Sequence, residues 1–89
     1  MIVLKSPQEI EKMRASGRIV AEILATLREK TKAGMTTAQL DAMALEIIKA
    51  HGVKSAFLGY YGYPAHICVS INEEVVHGIP GDRVIQDGD

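Results

Sequence analysis

The chain has 89 residues, enough for one small domain with a modest core and too few for a linker and a second domain. With 47% hydrophobic and 24% charged residues it is neither disordered nor membrane-spanning. Ten basic residues against eleven acidic ones, a formal net charge of -1, leave no basic block able to neutralise phosphates, so nucleic acid is not an expected partner.

In chain order, Ser6-Pro7-Gln8-Glu9 reads as a helix start: Ser6 caps, Pro7 suits the first helical position and Glu9 completes a capping box. Ile10, Met13, Gly17, Val20, Leu24 and Leu27 then recur at spacings of three and four. Ile19 and Ile23 widen the stripe, which predicts an amphipathic helix to about residue 32. The stripe is read as core, and Gly17 within it predicts a closely packed neighbouring backbone. Gly34 ends this helix, and Thr36 with Gln39 opens a second capping box. Leu40, Met43, Ala44, Ile47 and Ile48 mark one face of a second helix that stops at Gly52, with His51 placed to interact with its C-terminus. The first half of the chain is therefore expected to be a helical hairpin.

Beyond Gly52 the period changes. Ser55 to Tyr63 is rich in glycine and holds Phe57, Tyr60, Tyr61 and Tyr63, the only aromatics of the chain, a clustering that points to a pocket or interface. From His66 the residues alternate: His66, Cys68, Ser70 and Asn72 on one face, and Ile67, Val69 and Ile71 on the other. Asn72-Glu73-Glu74 can turn the chain, and Val75-Val76-His77 resumes an extended run before Gly78-Ile79-Pro80-Gly81, which predicts an antiparallel strand pair. Val84-Ile85-Gln86 reads as a further short strand before an Asp-Gly turn, with no partner strand after it.

Several residues could carry chemistry. His77, between a short extended run and Gly-Ile-Pro, can be held rigidly at a pocket wall, or simply bond locally at a strand end. His66, Cys68 and His77 are groups that zinc accepts, though their spacing matches no paired signature. A Cys68–His77 nucleophile pair lacks an identifiable orienting Asn or Asp. Cys68, the single cysteine, cannot form an intrachain disulfide, and residues 1–20 hold no apolar run like a secretory signal, so a reducing, cytoplasmic location is expected.

Residues 59–81, Gly-Tyr-Tyr-Gly-Tyr-Pro-Ala-His-Ile-Cys-Val-Ser-Ile-Asn-Glu-Glu-Val-Val-His-Gly-Ile-Pro-Gly, strongly resemble the type I methionine aminopeptidases, metallopeptidases of the M24 family. The resemblance extends to the opening Ser6-Pro7-Gln8-Glu9-Ile10-Glu11-Lys12-Met13, to Thr36-Thr37, to Phe57-Leu58-Gly59-Tyr60 and to the final Gly88-Asp89. It implies an α+β architecture: the first half of a pita-bread fold, a helical hairpin followed by antiparallel strands, with residues 1–89 as the N-terminal part of one catalytic domain. The implied activity is removal of the initiator methionine from nascent polypeptides, near the ribosome, by metal-dependent hydrolysis.

Carried over residue by residue, the resemblance implies that Phe57, Tyr60, Tyr63 and Cys68 line the methionine side-chain pocket, and that His77 contacts the substrate backbone as an auxiliary catalytic group. Asn72 and Glu74 match positions whose carbonyls border a monovalent cation in some members. His66 stands where relatives commonly have a small polar residue, and its ring is expected to narrow the pocket rim or make a new interaction. The family's two divalent metal ions, of the cobalt, manganese, iron or zinc class, are held by two aspartates, a histidine and two glutamates that all follow the Gly-Asp matched by Gly88-Asp89. None is therefore expected within this chain, which alone is expected to be inactive. The alternative is a non-catalytic peptide-binding or assembly module, and an uncovered sheet edge and apolar face would favour self-association.

Overall fold

The computed structural model describes all 89 residues. Helix α1 spans Pro7–Lys30 and α2 spans Thr37–Ala50. Both start for local chemical reasons. Ser6 Oγ accepts the Glu9 N–H while the Glu9 carboxylate accepts the Ser6 N–H at 2.7 Å, and Thr36 and Gln39 make the same reciprocal pair at α2. Each box satisfies an N–H that the helix itself leaves without a partner. Gly34, at φ 95, makes the left-handed turn between the helices. The hairpin is therefore as expected, with α1 two residues shorter than the stripe suggests.

The core is small and asymmetric. Ile23 of α1 packs with Ala44 and Ile48 of α2, and Ile19, Leu27, Ile47 and Ile67 close around them. Ala44 is fully buried, whereas Leu24 is 62% exposed and Ile10, Met13 and Val20 are exposed with it. The α1 stripe is thus a core face only near Ile23, and elsewhere no part of this chain covers it. Gly17 has nothing within 4 Å of where a Cβ would sit, so the expected close neighbour is absent from this chain. With so little covering α1, the radius of gyration is 14.9 Å, against about 12 Å for a compact chain of this length. His51 caps α2, and its Nε2 pairs with Glu22, tying the C-terminal end of α2 to the middle of α1.

The expected antiparallel strands do not form within these 89 residues. Residues 66–72 and 75–79 meet at one backbone hydrogen bond, from the Val69 N–H to the Gly78 carbonyl at 2.8 Å, and make no ladder. Two local features stop the pairing there. The Gly78 N–H donates to Ser70 Oγ at 3.0 Å rather than to a carbonyl, and Asn72 and His77 lie at φ 52 and 54, outside the extended region. The alternation still sorts part of this segment: Ile67 packs on the core and Ile71 is buried, while Ser70 and Asn72 are exposed.

The last segment finds a partner that the sequence did not show. Val84 forms an isolated antiparallel bridge with Thr36, the Gly34 N–H donates to the Ile85 carbonyl at 2.8 Å, and the Ile85 N–H donates to the Met35 carbonyl at 2.7 Å. The first two N–H groups of α2 are satisfied from the same segment, Thr37 donating to Arg83 O and Ala38 to Gly81 O, both at 3.0 Å. Buried Thr37 adds a reciprocal pair: its Oγ1 donates to the Gly81 carbonyl and accepts the Gly81 N–H. The hairpin connection and the C-terminal segment are thereby fixed to each other.

Candidate functional site

Between Phe57 and Pro64 the chain makes a glycine-bounded corner. Gly59, just before the short 3-10 turn Tyr60–Gly62, and Gly62, its last residue, take φ 80 and 77, conformations that cost glycine little. The corner projects its aromatics as two pairs. Tyr60 and Tyr61 stack edge to face with centroids 4.6 Å apart, and Phe57 lies tilted against Tyr63 at 5.8 Å. With Pro64, Cys68, His77 and Ile79 they enclose a largely apolar cleft of about 420 Å³. All five residues singled out in the sequence, Phe57, Tyr60, Tyr63, Cys68 and His77, border this one cleft.

Hydrogen bonds fix its walls. The Tyr63 hydroxyl faces the Ile67 carbonyl at 2.9 Å and the Gly78 carbonyl at 3.2 Å, so its single proton is shared across the two segments that carry Cys68 and His77. Burial, then the neighbouring Cys68 thiol, pushes the Tyr63 phenol up to about 12, which keeps it a donor throughout the neutral range. Ser55 Oγ donates to the His66 carbonyl at 2.6 Å and accepts the Phe57 N–H at 3.1 Å, linking the Phe57 wall to the base of the Cys68 segment. His77, exposed at the rim, holds its left-handed backbone beside a tight crossing, because a Cβ at Gly78 would strike the Val69 carbonyl oxygen. The backbone from which the imidazole projects is thereby fixed.

His66 does not narrow the cleft. Its ring turns away to Asp41 of α2, with Nδ1 2.9 Å from Oδ2, while Asp41 Oδ1 accepts the backbone N–H groups of His66 and Ile67. This is the new interaction that the histidine makes. Burial pushes the Asp41 carboxyl up, but the hydrogen bonds from the His66 ring and the two amides, with the charge of the His66 ring, more than offset it and leave the group below its ordinary 3.8.

The zinc-like grouping of His66, Cys68 and His77 is therefore not gathered, and no three His, Cys, Asp or Glu side chains of the chain converge as a metal would require. The residues present do not fit a two-metal centre. The Cys68–His77 pair shares the cleft, yet no carboxylate lines it, and Asp41 is committed to His66.

At the far end, Glu74 accepts the Ile71 N–H at 2.8 Å and so serves the turn that it closes, while Asn72 donates to Asp89 Oδ1 at 2.8 Å and ties that turn to the C-terminal residues. Tyr61, Ile79, Asp41 and Ser55 are residues of the site that sequence reasoning did not assign to it. Tyr61 had a signal, as a fourth aromatic in the same cluster, and the others had none. A larger cavity of about 570 Å³ lies behind the cleft, between the α1 stripe and residues 53–57 and 66–68. Its lining joins the α1 stripe to those two segments, and of the five residues only Phe57 and Cys68 reach it.

Residues 11–89 match the metallopeptidase family M24. Among curated relatives, the chain is 47% identical over 89 residues to a methionine aminopeptidase of Clostridium perfringens and 49% identical over 89 residues to methionine aminopeptidase 1 of Bacillus subtilis, covering 100% of this chain and 36% of each relative. Among solved structures, methionine aminopeptidases from Rickettsia prowazekii and Thermotoga maritima superpose with a TM-score of 0.93 at 38% and 46% identity, over 99% of this chain and 36% of theirs. The chain thus spans about a third of the length of the relatives that it matches, and follows their backbone course throughout. No helix is long and apolar enough to cross a membrane.

Proposed function

Because the chain belongs to metallopeptidase family M24, whose members use metal ions for peptide hydrolysis, we propose that it supplies the methionine-recognition cleft of a methionine aminopeptidase. The observation that carries this reading is the convergence of Phe57, Tyr60, Tyr63, Cys68 and His77, spread over 21 positions of sequence, on one apolar cleft. A methionine side chain is unbranched and polarizable, and sulfur against aromatic edges gains about 0.3–1.5 kcal/mol per contact. Phe57 and the tyrosines offer such edges, Cys68 forms a small soft wall between them, and the exposed imidazole of His77 stands at the rim where the substrate's peptide group would lie. His77 in this reading positions the peptide and stabilises charge as it develops.

The substrate is the initiator methionine of nascent polypeptides with a small second residue, met near the ribosome in the cytoplasm. The fold would be the first half of a pita-bread domain, its strands completed by pairing outside residues 1–89. The two divalent ions, of the cobalt, manganese, iron or zinc class, would be held by residues outside these 89. No step of hydrolysis is assigned to groups of this chain acting alone.

The test compares two purified proteins: the 89-residue chain, and the product of the complete reading frame that contains it, each assayed with Met-Ala-Ser and Leu-Ala-Ser peptides and added divalent metal. Release of methionine by the longer protein only, with at least a tenfold preference for methionine over leucine and a loss of turnover in His77→Ala, is the expected result. Metal-dependent methionine release by the 89-residue chain itself, or no methionine preference in the longer protein, would overturn the reading.

A further inference from the structure

Phe57, Tyr63 and Cys68 border the cleft directly, yet the hydrogen bonds that hold these walls converge behind it, on the dipeptide His66-Ile67. Its polar backbone atoms are all engaged. The His66 N–H and Ile67 N–H both donate to Asp41 Oδ1, at 2.8 and 2.9 Å, the His66 carbonyl accepts from Ser55 Oγ, and the Ile67 carbonyl accepts from the Tyr63 hydroxyl. The side chains are engaged as well: Ile67 packs against the Ile23–Ala44–Ile48 core, and the His66 ring meets Asp41 Oδ2.

Three walls of the cleft hang from this one dipeptide. Phe57 is reached through Ser55, whose hydroxyl accepts the Phe57 N–H, Tyr63 through the Ile67 carbonyl, and Cys68 through the chain itself. Of the two anchors beneath it, the Ile67 side chain is non-directional and could slide along the core. The Asp41 carboxylate is directional and fixes both position and rotation.

We propose that Asp41 is a positioning residue for the cleft: from its place on α2 it clamps His66 and Ile67, and so sets where Cys68, Tyr63 and Phe57 stand. The clamp makes the histidine tautomer specific, since a carboxylate only accepts and His66 Nδ1 must therefore carry the proton that faces it. His66 adds a third arm to a grip that a small polar side chain at the same position could not lengthen. This inference deepens the reading of the cleft as a methionine site and rests on it for its effect on substrate, but not for its effect on the cleft's own geometry.

The two can be tested apart. Cys68 is the only cysteine, so the rate at which a thiol reagent labels the folded 89-residue chain reports on one position, the wall that the cleft shares with the cavity beneath α1. In Asp41→Ala, with helix content preserved, labelling is expected to accelerate about tenfold, the scale of one lost charge-assisted hydrogen bond. Asp41→Asn retains an acceptor oxygen for the two amides and is expected to label within about twofold of the parent, and His66→Ala, which removes one arm, is expected to fall between. Should Asp41→Ala fail to fold, through-hydrogen-bond scalar couplings from the His66 and Ile67 amides to the Asp41 carboxyl carbon, read on the unaltered chain, decide the matter.

Unchanged Cys68 labelling in a folded Asp41→Ala, or missing couplings, would overturn the proposal. In the longer protein the same substitution is expected to raise KM for Met-Ala-Ser about tenfold with kcat changed less than about threefold, because the metal chemistry is untouched. Faster labelling without any methionine-releasing activity in the longer protein would leave the clamp standing and remove the methionine reading.

Discussion

The two helices of the hairpin start from the same design and end in different places. Each opens with a complete capping box, and each carries an apolar stripe at helical spacing. Helix α2 buries its stripe: Leu40, Ala44 and Ile48 are all buried, beside Thr37. Helix α1 is longer and buries only Ile23, with Val20 and Leu24 left to solvent. A stripe therefore tells which side of a helix is apolar, while what lies against that side decides how much each residue stabilises the chain.

Removal of matched side chains separates the two helices most. Ile48→Ala is expected to destabilise the 89-residue chain by about 2–4 kcal/mol, through lost burial and an unfilled gap, whereas Leu24→Gln is expected to cost less than about 0.5 kcal/mol. Urea unfolding followed by circular dichroism reads both, and equal costs would mean that α1 is covered in solution by a second copy. The same Leu24→Gln change in a longer protein that covers the stripe is expected to cost about 1.5–3 kcal/mol.

Next in size is Thr37→Val, which removes both bonds to Gly81 while leaving the buried shape nearly unchanged. It strands the Gly81 N–H, while the Gly81 carbonyl keeps the Ala38 N–H, so a loss of about 1–3 kcal/mol is expected, with residues 81–86 losing amide protection before α1 does. Ser6→Ala at α1 removes an exposed cap and is expected to cost about 1 kcal/mol, seen as fraying of the first turn by amide exchange.

The smallest effect separates the helices by pH. Asp41 of α2 has its carboxyl held below 3.8, with burial opposing and the bonds from His66 and Ile67 prevailing. A carboxyl depressed on folding contributes stability above its unfolded value that is lost as the pH falls through the folded one. Thermal melts below about pH 4 should fall less steeply in Asp41→Asn than in the parent chain, and parallel slopes would contradict the clamp.

How much of this was legible in the sequence follows the reach of each interaction. The helix starts were, because Ser6 and Glu9, or Thr36 and Gln39, are three residues apart and settle their cap locally. The alternation from His66 to Asn72 correctly separated Ile67 and Ile71 from Ser70 and Asn72. It failed to foresee that left-handed Asn72 and His77 would end the pairing after one bond.

The cleft was legible through the aromatic cluster and through resemblance, since composition by itself gave only a hint of a pocket. Asp41 was not, because its partners lie 25 and 26 residues away and nothing in an exposed-looking helical aspartate announces them. The pairing of Val84 and Ile85 with residues 34–36 was hidden for the same reason: a short apolar run states that it needs a neighbour without naming one.

Phe57 and Cys68 border both the aromatic cleft and the larger cavity beneath α1. These two side chains are therefore common to both spaces. Close-packed interiors transmit small shifts rather than damping them. Whatever rests on the bare side of α1 thus shares a wall with whatever enters the cleft, and a change of volume on one side is felt on the other at the thiol of Cys68.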